Sequence, residues 1–256
     1  MIFKIVKNII SSPKYLCPIC LSKIRYFESF SLRGLDELNH YQYVHSIFCL
    51  ETFNIKSYSC PKCKSSDYYR LIGLFFRNHF ANQKNQHKNV SVLDFAPIPR
   101  FTAFLKTFPQ IRYRSVDIAS KDANDHADIQ NLSIYKDNSF DIVICSHVLE
   151  HVADDFKAMC ELYRIIKRGG FGIIMVPIQL NLKETYENKK ITSKRDRCHH
   201  FGQDDHVRVY SKYGFVRKLE ESGFKVDQLG IKFFSKESFL EAGIMDRSVL
   251  YKVTKL

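Results

Sequence analysis

Residues 140–177 read FDIVICSHVLEHVADDFKAMCELYRIIKRGGFGIIMVP. The stretch opens on an apolar run, Asp141 to Cys145, rich in β-branched residues and without the polar alternation of a strand that faces water on one side. That pattern predicts a central strand of a parallel sheet. A helix is predicted next. Asp154 or Asp155 can cap it, Phe156, Met159, Cys160, Tyr163 and Ile166 recur along one face, Lys167 and Arg168 suit its negative end, and Gly169-Gly170 stops it. Phe171 to Val176 then reads as a second strand, closed by Pro177. Strand, crossover helix and strand in this order form a βαβ unit, and ligands of such sheets gather beyond the carboxyl ends of the strands. His147, Glu150 and His151 fall there.

Upstream, Val90 to Phe95, Tyr113 to Ile118 and the flanks of Asp128 continue the series of short strands. Asp94 closes the first, Asp117 the second, and Asp128 lies where a third would end. An acid at the end of the second strand of a doubly wound sheet can accept hydrogen bonds from both ribose hydroxyls of a nucleoside cofactor. Strand-end aspartates can also be solvated caps. Downstream, Ser211 can cap a helix carrying Phe215, Val216 and Leu219 and stopping at Gly223, Phe224 to Val226 is the next strand, and the alternation of Val249, Tyr251 and Val253 gives a last, antiparallel edge strand. The expected fold is therefore α/β: a Rossmann-like, doubly wound, mostly parallel sheet over about 90–256.

With 256 residues and 45% hydrophobic composition the chain can bury a real core and is no disordered tail. A net charge of +12 makes an acidic partner plausible, whether nucleic acid, an anionic membrane surface or an acidic substrate. Four of the eight cysteines form two Cys-x-x-Cys pairs, CPIC at 17–20 and CPKC at 60–63, a pattern that favours metal and a reducing, cytoplasmic compartment over disulfides. A structural zinc ion takes four thiolates in a tetrahedron, and two such turns supply them, so Cys17, Cys20, Cys60 and Cys63 are the expected ligands of a small zinc-ribbon-like module. The segment 64–80, with a cap at Ser66 or Asp67 and Tyr68, Leu71, Ile72, Phe75 and His79 at helical spacing, is expected to join this module (17–80) to the main domain. Residues 1–16 form a basic amphipathic segment that lacks a signal peptide's apolar run; residues 1–10 allow peripheral contact with a membrane, and no run is long enough to span one.

DFAPIPRF at 94–101, VDIAS at 116–120, HADIQNL at 126–132, NSFDIVICSHVLEHV at 138–152 and LYRIIKRGGFGIIMVP at 162–177 together resemble the successive motifs of class I S-adenosylmethionine-dependent methyltransferases of the type 11 kind. The resemblance covers about 90–180. It implies S-adenosylmethionine as cofactor, with Asp94 and Ala96 at the first loop, Asp117 on the ribose, Ile118 packed on the adenine, Asp128 facing the adenine amino group with Ile129 beside the ring, and His147 near the methionine end. One departure stands out: the family's first loop is usually glycine-rich, whereas here it is Phe95-Ala96-Pro97-Ile98-Pro99-Arg100, whose Cβ-bearing residues are not expected to take glycine conformations. A subset of zinc-knuckle methyltransferase-like proteins, often among glycan-synthesis proteins, is similar in carrying a Phe-Ala-Pro loop together with Cys-x-x-Cys pairs.

The polar segment from about 180 to 210 is placed to form a substrate lid and is dense in chemistry, notably RDRCHHFGQDDHVRVY at 195–210. His206 is the first candidate for a general base, His151 the second, and His147 with Glu150 the third, since a histidine beside acids can take a proton from a hydroxyl near neutral pH. A second metal at His199, His200, Asp204 and His206 is disfavoured, because adjacent residues rarely point at one ion. The expected acceptor is a hydroxyl of a small molecule, sugar or glycan precursor. The alternatives are an RNA methyltransferase, for which residues 145–151, CSHVLEH, lack two of the known base-modifying motifs, and a non-catalytic binding or scaffold protein of the same fold.

Overall fold

The computed structural model describes residues 14–81 and 89–256, so most of the N-terminal amphipathic segment lies outside the described residues. Two short strands, β1 (Tyr15–Leu16) and β2 (Lys23–Ile24), pair antiparallel around the first cysteine turn. Helix α1 (Leu32–His40) follows, capped by Ser31, whose Oγ accepts from Gly34 N at 3.1 Å. Helix α2 (Asp67–Ala81) buries Leu71, Ile72, Phe75, Phe76 and Phe80. These side chains are continuous with the core of the sheet; Phe75 meets Phe171 edge-on at 5.7 Å.

The main sheet is assembled from β3 (Val90–Phe95), helix α3 (Pro99–Leu105), β4 (Ile111–Asp117), β5 (Asp125–His126), β6 (Phe140–Ser146), helix α4 (Asp155–Ile165) and β7 (Ile166–Met175). The segment expected to form a lid follows, with β8 (Tyr186–Glu187), α5 (Lys194–Phe201) and β9 (Arg208–Val209), and then α6 (Lys212–Glu221), β10 (Lys225–Leu229), α7 (Ile231–Phe234), α8 (Lys236–Glu241) and β11 (Leu250–Thr254). The strand order is β10-β11-β7-β6-β3-β4-β5. β3 to β7 run parallel, and β11 is antiparallel to both of its neighbours. The chain winds outward from β3 to β5 and then crosses to β6, so the crevice beyond β3 and β6 is the topological switch point.

Three local expectations are corrected. β11 is not an edge strand: it is inserted between β7 and β10, with Leu250, Tyr251 and Val253 all buried, because β10 takes the outer place. Helix α4 ends at Ile165, and β7 starts at the next residue, so Gly169-Gly170 lies within the strand and does not stop the helix. Gly170 is needed there because a Cβ would stand 2.8 Å from the Asp141 carbonyl. With the helix ending earlier, its inward face is Ala158, Met159, Leu162 and Ile165, and Phe156 is exposed.

One buried cation joins the N-terminal residues to the C-terminal ones. The Arg70 guanidinium, fully buried, donates to the carbonyls of Tyr58 and Ser65 at 2.9 Å each and of Ala242 at 2.7 Å, and also to Ser57. Its face lies 3.9 Å from the Phe27 ring. Each orphan carbonyl so satisfied removes a desolvation penalty of about 1–3 kcal/mol.

Candidate active site

On the side of β3 to β5 lie three aspartates, of which Asp117 and Asp128 hold short-range turns. Asp94 is buried and accepts from the Tyr113 hydroxyl at 2.9 Å, and that hydroxyl pairs with Thr102 Oγ1 at 2.8 Å. Burial pushes the Asp94 carboxyl up to about 7. Its oxygens thus face the sheet and α3, which makes Asp94 a support for the loop that follows. Ala96 in that loop has φ +50, so the expectation that a Cβ-bearing residue would avoid the left-handed region is overturned. Its amide reaches the Val116 carbonyl at 3.0 Å, and this bond pins the turn between β3 and α3.

Asp117 ends β4 and accepts on Oδ1 from the amides of Ala119 and Ser120, both at 2.7 Å. Among the described residues no donor reaches its Oδ2, and Ile118 beside it is 72% exposed. A fixed carboxylate with an open oxygen next to an exposed apolar side chain is a fit for the ribose and base of a nucleoside. The Asp128 carboxylate is engaged by Gln130, whose amide nitrogen lies 2.9 Å from Oδ2 and whose backbone N lies 2.8 Å from Oδ1, while Ile129 is buried in the core. A ligand at Asp128 would compete with Gln130.

On the side of β6 and β7 the site is built from distant parts of the chain. His147 leaves β6 with φ +57; its amide donates to the Met175 carbonyl at 2.8 Å and its ring lies against Tyr68 of α2 at 3.9 Å between centroids. Glu150 follows in a helical turn, only 2% exposed, and neither carboxylate oxygen receives a hydrogen bond. The nearest nitrogen is His147 Nδ1, 3.4 Å from Oε1. Burial alone would raise the Glu150 carboxyl, but His147, His206 and His151 hold it below its ordinary value. His151 Nδ1 lies 3.1 Å from Asp205 Oδ2, and His206 Nδ1 lies 3.2 Å from the Phe201 carbonyl. The two rings meet edge to face at 4.6 Å. Burial pushes the His206 imidazole down, so that it is uncharged at neutral pH.

Arg208 fixes this loop. Fully buried, its guanidinium donates to the Leu149 carbonyl at 2.7 Å, to Ala153 at 3.0 Å and to Val152, and it contacts Glu187 at 3.1 Å. The Val207 amide donates to the Glu150 carbonyl at 2.9 Å. The segment containing His206 thereby clamps the turn that carries Glu150 and His151.

These groups line a cavity of about 630 Å³. Its floor is the β6 loop, Pro177 and His206, one wall is α5, and its roof comes from residues 30–58, including Phe30, Leu38, Tyr41, Tyr43 and Tyr58. The roof is stitched to the rest of the site: Glu51 N donates to the Ile178 carbonyl at 2.9 Å, Gln179 Nε2 to the Ser46 carbonyl at 2.8 Å, and Val44 N to the His199 carbonyl at 3.0 Å. This roof is not anticipated from the sequence. The signal available was the aromatic run Tyr41, Tyr43 and His45.

The four cysteines converge. All Sγ atoms lie within 4.8 Å of one another, with Cys17 to Cys63 at 3.7 Å and Cys20 to Cys60 at 3.9 Å. A tetrahedron with bonds of about 2.3 Å has edges of about 3.8 Å, so the set is compatible with a zinc ion. The two turns are copies: Leu21 N donates to Cys17 O and Lys64 N to Cys60 O, and Leu21 and Lys64, each four residues after the first cysteine, share φ values of 56 and 58. The set of His199, His200 and Asp204 with His206 does not form. His200 Nδ1 instead pairs with the Tyr186 hydroxyl at 2.9 Å, and His199 Nδ1 with the Tyr41 carbonyl.

Among the described residues no helix is long and apolar enough to cross a membrane. A curated relative, an uncharacterised protein of Methanocaldococcus jannaschii, is 39% identical over 79 residues, 30% of this chain; the chain spans about a third, 35%, of that relative's length. Among solved structures, a SAM dependent methyltransferase from Archaeoglobus fulgidus aligns over 75% of this chain and 95% of its own at 17% identity, with a TM-score of 0.45. The [4+2]-cyclase SpnF aligns over 89% and 97% at 12% identity, with a TM-score of 0.48. Residues 104–174, from the end of α3 almost to the end of β7, match the family described as methyltransferase domain. On a sheet of this order, with an acid closing β4 at the switch-point side, that match assigns residues 104–174 to a methyltransferase domain.

Proposed function

We propose that the protein methylates a hydroxyl of a small molecule, a sugar or glycan precursor, seated in the cavity beneath residues 30–58. The observation that carries this reading is the cavity itself: about 630 Å³, roofed by aromatic rings, and floored by a carboxylate and three histidines. Its volume suits a single small ligand. Aromatic faces suit the apolar face of a sugar ring, and a roofed cavity favours a compact acceptor over a strand of RNA.

S-adenosylmethionine, when bound, supplies an electrophilic methyl group on a sulfonium. Asp117 would hold its ribose and Ile118 its adenine, with Asp128 and Ile129 at the far edge of the base. Asp94 and the pinned turn at Ala96 would set the loop against it, and His147 would border the methionine end. The acceptor's hydroxyl proton would pass to one imidazole, with His206, held uncharged by burial, the first candidate and His151 and His147 the next. The four cysteines would hold a structural zinc ion that keeps the roof's two ends, at residues 17–20 and 60–63, fixed to α2.

Isothermal titration of the zinc-loaded protein with S-adenosylmethionine and its demethylated product, beside an Asp117→Ala control, tests the cofactor site. Micromolar binding that the control loses is expected. Methyl transfer to nucleotide sugars and glycan precursors, with RNA as the competing substrate, tests the acceptor. Transfer to RNA alone would refute the small-molecule reading, and no cofactor binding by the folded protein would favour the non-catalytic scaffold.

A further inference from the structure

The floor of the cavity holds a second set of metal-capable donors, separate from the cysteines. Glu150, His151 and His206 each offer a ligand atom, and the three atoms lie within 4.8 Å of one another. Two observations say that this is more than a polar cluster. The first is Glu150, a carboxylate at 2% exposure with no hydrogen-bond donor on either oxygen. Buried carboxylates are almost always paired and hydrogen-bonded, whereas Glu150 has only the His147 ring beside it, Nδ1 lying 3.4 Å from Oε1.

The second is how the two rings are held. His151 turns Nδ1 to the Asp205 carboxylate and His206 turns Nδ1 to the Phe201 carbonyl. Both partners are acceptors, so the tautomer with its proton on Nδ1 is the one each partner favours, and that tautomer leaves Nε2 free for a ligand. Metal-binding histidines are oriented in this way, by a carboxylate or a carbonyl behind the ring. Arg208 and the Val207 amide lock the backbone between the donors, so the set needs little rearrangement to close on an ion.

We propose that Glu150, His151 and His206 bind one divalent transition cation, such as zinc, cobalt or manganese, with its remaining coordination positions open to the cavity. Two imidazoles and a carboxylate suit such ions and leave room for an oxygen ligand. In the hydroxyl-acceptor reading that oxygen belongs to the acceptor. The cation acidifies the hydroxyl, and His147, the one histidine of the cluster outside the donor set, receives the proton. This use of the ion rests on the proposed acceptor chemistry; the binding of the ion does not.

The test is a cobalt(II) titration of the full-length, zinc-loaded chain, following bound cobalt and retained zinc by elemental analysis and the visible spectrum. The expected result is one cobalt bound per chain with zinc retained, and weak d–d bands without thiolate charge transfer. Glu150→Gln and His206→Gln should abolish that equivalent, and Asp205→Asn, a surface change safe for folding, should weaken it by about 10-fold or more. Cobalt that only displaces zinc with thiolate charge transfer, or a second equivalent that all three variants leave unchanged, would overturn the proposal. A cobalt site without methyl transfer would sink the acceptor reading alone; methyl transfer without a cobalt site would sink this one alone.

Discussion

The two sides of the cleft are built on different principles. On the proposed cofactor side, Asp117 and Asp128 are each held by groups two or three residues away, and Asp94 and Ala96 are tied to β4, the neighbouring strand. On the acceptor side, Glu150 and His151 meet His206 across 55 residues, Tyr68 lies against His147 from α2, and the roof comes from residues 30–58. A site made from local turns can lose one side chain and keep its fold. A site made by convergence is itself part of what holds the chain together. Damage to the acceptor side should therefore appear first in stability, and damage to the cofactor side first in ligand affinity.

The largest effect is expected at the cysteines. Cys17 and Cys60 are fully buried, and structural zinc in small modules contributes about 10–16 kcal/mol of binding energy coupled to folding. Cys60→Ser should lose zinc by elemental analysis and lower the melting temperature by roughly 10 °C or more. Retention of the wild-type melting temperature would mean that the roof stands without metal. Next is Arg208→Met. Removal of one partner from a buried ion pair costs about 3–5 kcal/mol, and Arg208 also satisfies three carbonyls. Calorimetric unfolding should show that loss, while the remaining folded protein binds S-adenosylmethionine unchanged. A loss of cofactor affinity with full stability would break the comparison.

Asp94 is the exception on the cofactor side, because it is buried. Its carboxyl is raised from an ordinary value near 3.9 to about 7 in the folded state. The sign follows: its favourable contribution is complete below about pH 4 and is lost as pH rises through about 7. Asp94→Asn should flatten that part of the pH dependence of the melting temperature and leave the variant more stable above pH 7.5, by at most about 4 kcal/mol. An unchanged slope between pH 4.5 and 8 would contradict the assignment. Asp117→Ala should do the reverse. Loss of one charge-assisted bond from a ribose hydroxyl to the open oxygen, about 1.5–3 kcal/mol, weakens cofactor binding roughly 10- to 150-fold by titration calorimetry, with the melting temperature within about 2 °C of wild type.

The same contrast decides what was legible in the sequence. Asp94 and Asp117 could be placed because each closes an apolar run, and the cysteines because each pair is a local repeat. Strand neighbours could not: the alternation of Leu250 to Thr254 carries the strand's period but not its place between β7 and β10. Glu150 was noticed only as a companion of His147. That it shares a floor with His206 depends on Arg208 folding one segment back onto another, and no spacing records that. Residues 30–58 were unreadable as a roof because α1 buries none of its residues, so its apolar stripe says nothing of what it covers.

The smallest effect is expected at Ala96, where family resemblance and structure pull in different directions. The loop lacks the usual glycines, yet Ala96 adopts φ +50, a conformation glycine takes freely. For an alanine this costs about 1–2 kcal/mol. Ala96→Gly removes that strain but gives the unfolded chain back about 0.4–1 kcal/mol of entropy. The net gain should be about 0.5–1 kcal/mol, seen as a rise of roughly 1–4 °C in melting temperature. The turn is already pinned by the bond from the Ala96 amide to Val116, so cofactor affinity should stay within about 3-fold of wild type, or ~0.6 kcal/mol. A fall in stability would mean that packing of the Ala96 methyl outweighs its strain. A large change in affinity with no change in stability would mean that the Cβ itself faces the cofactor, and that the Phe-Ala-Pro loop sets affinity where a glycine loop would only permit approach.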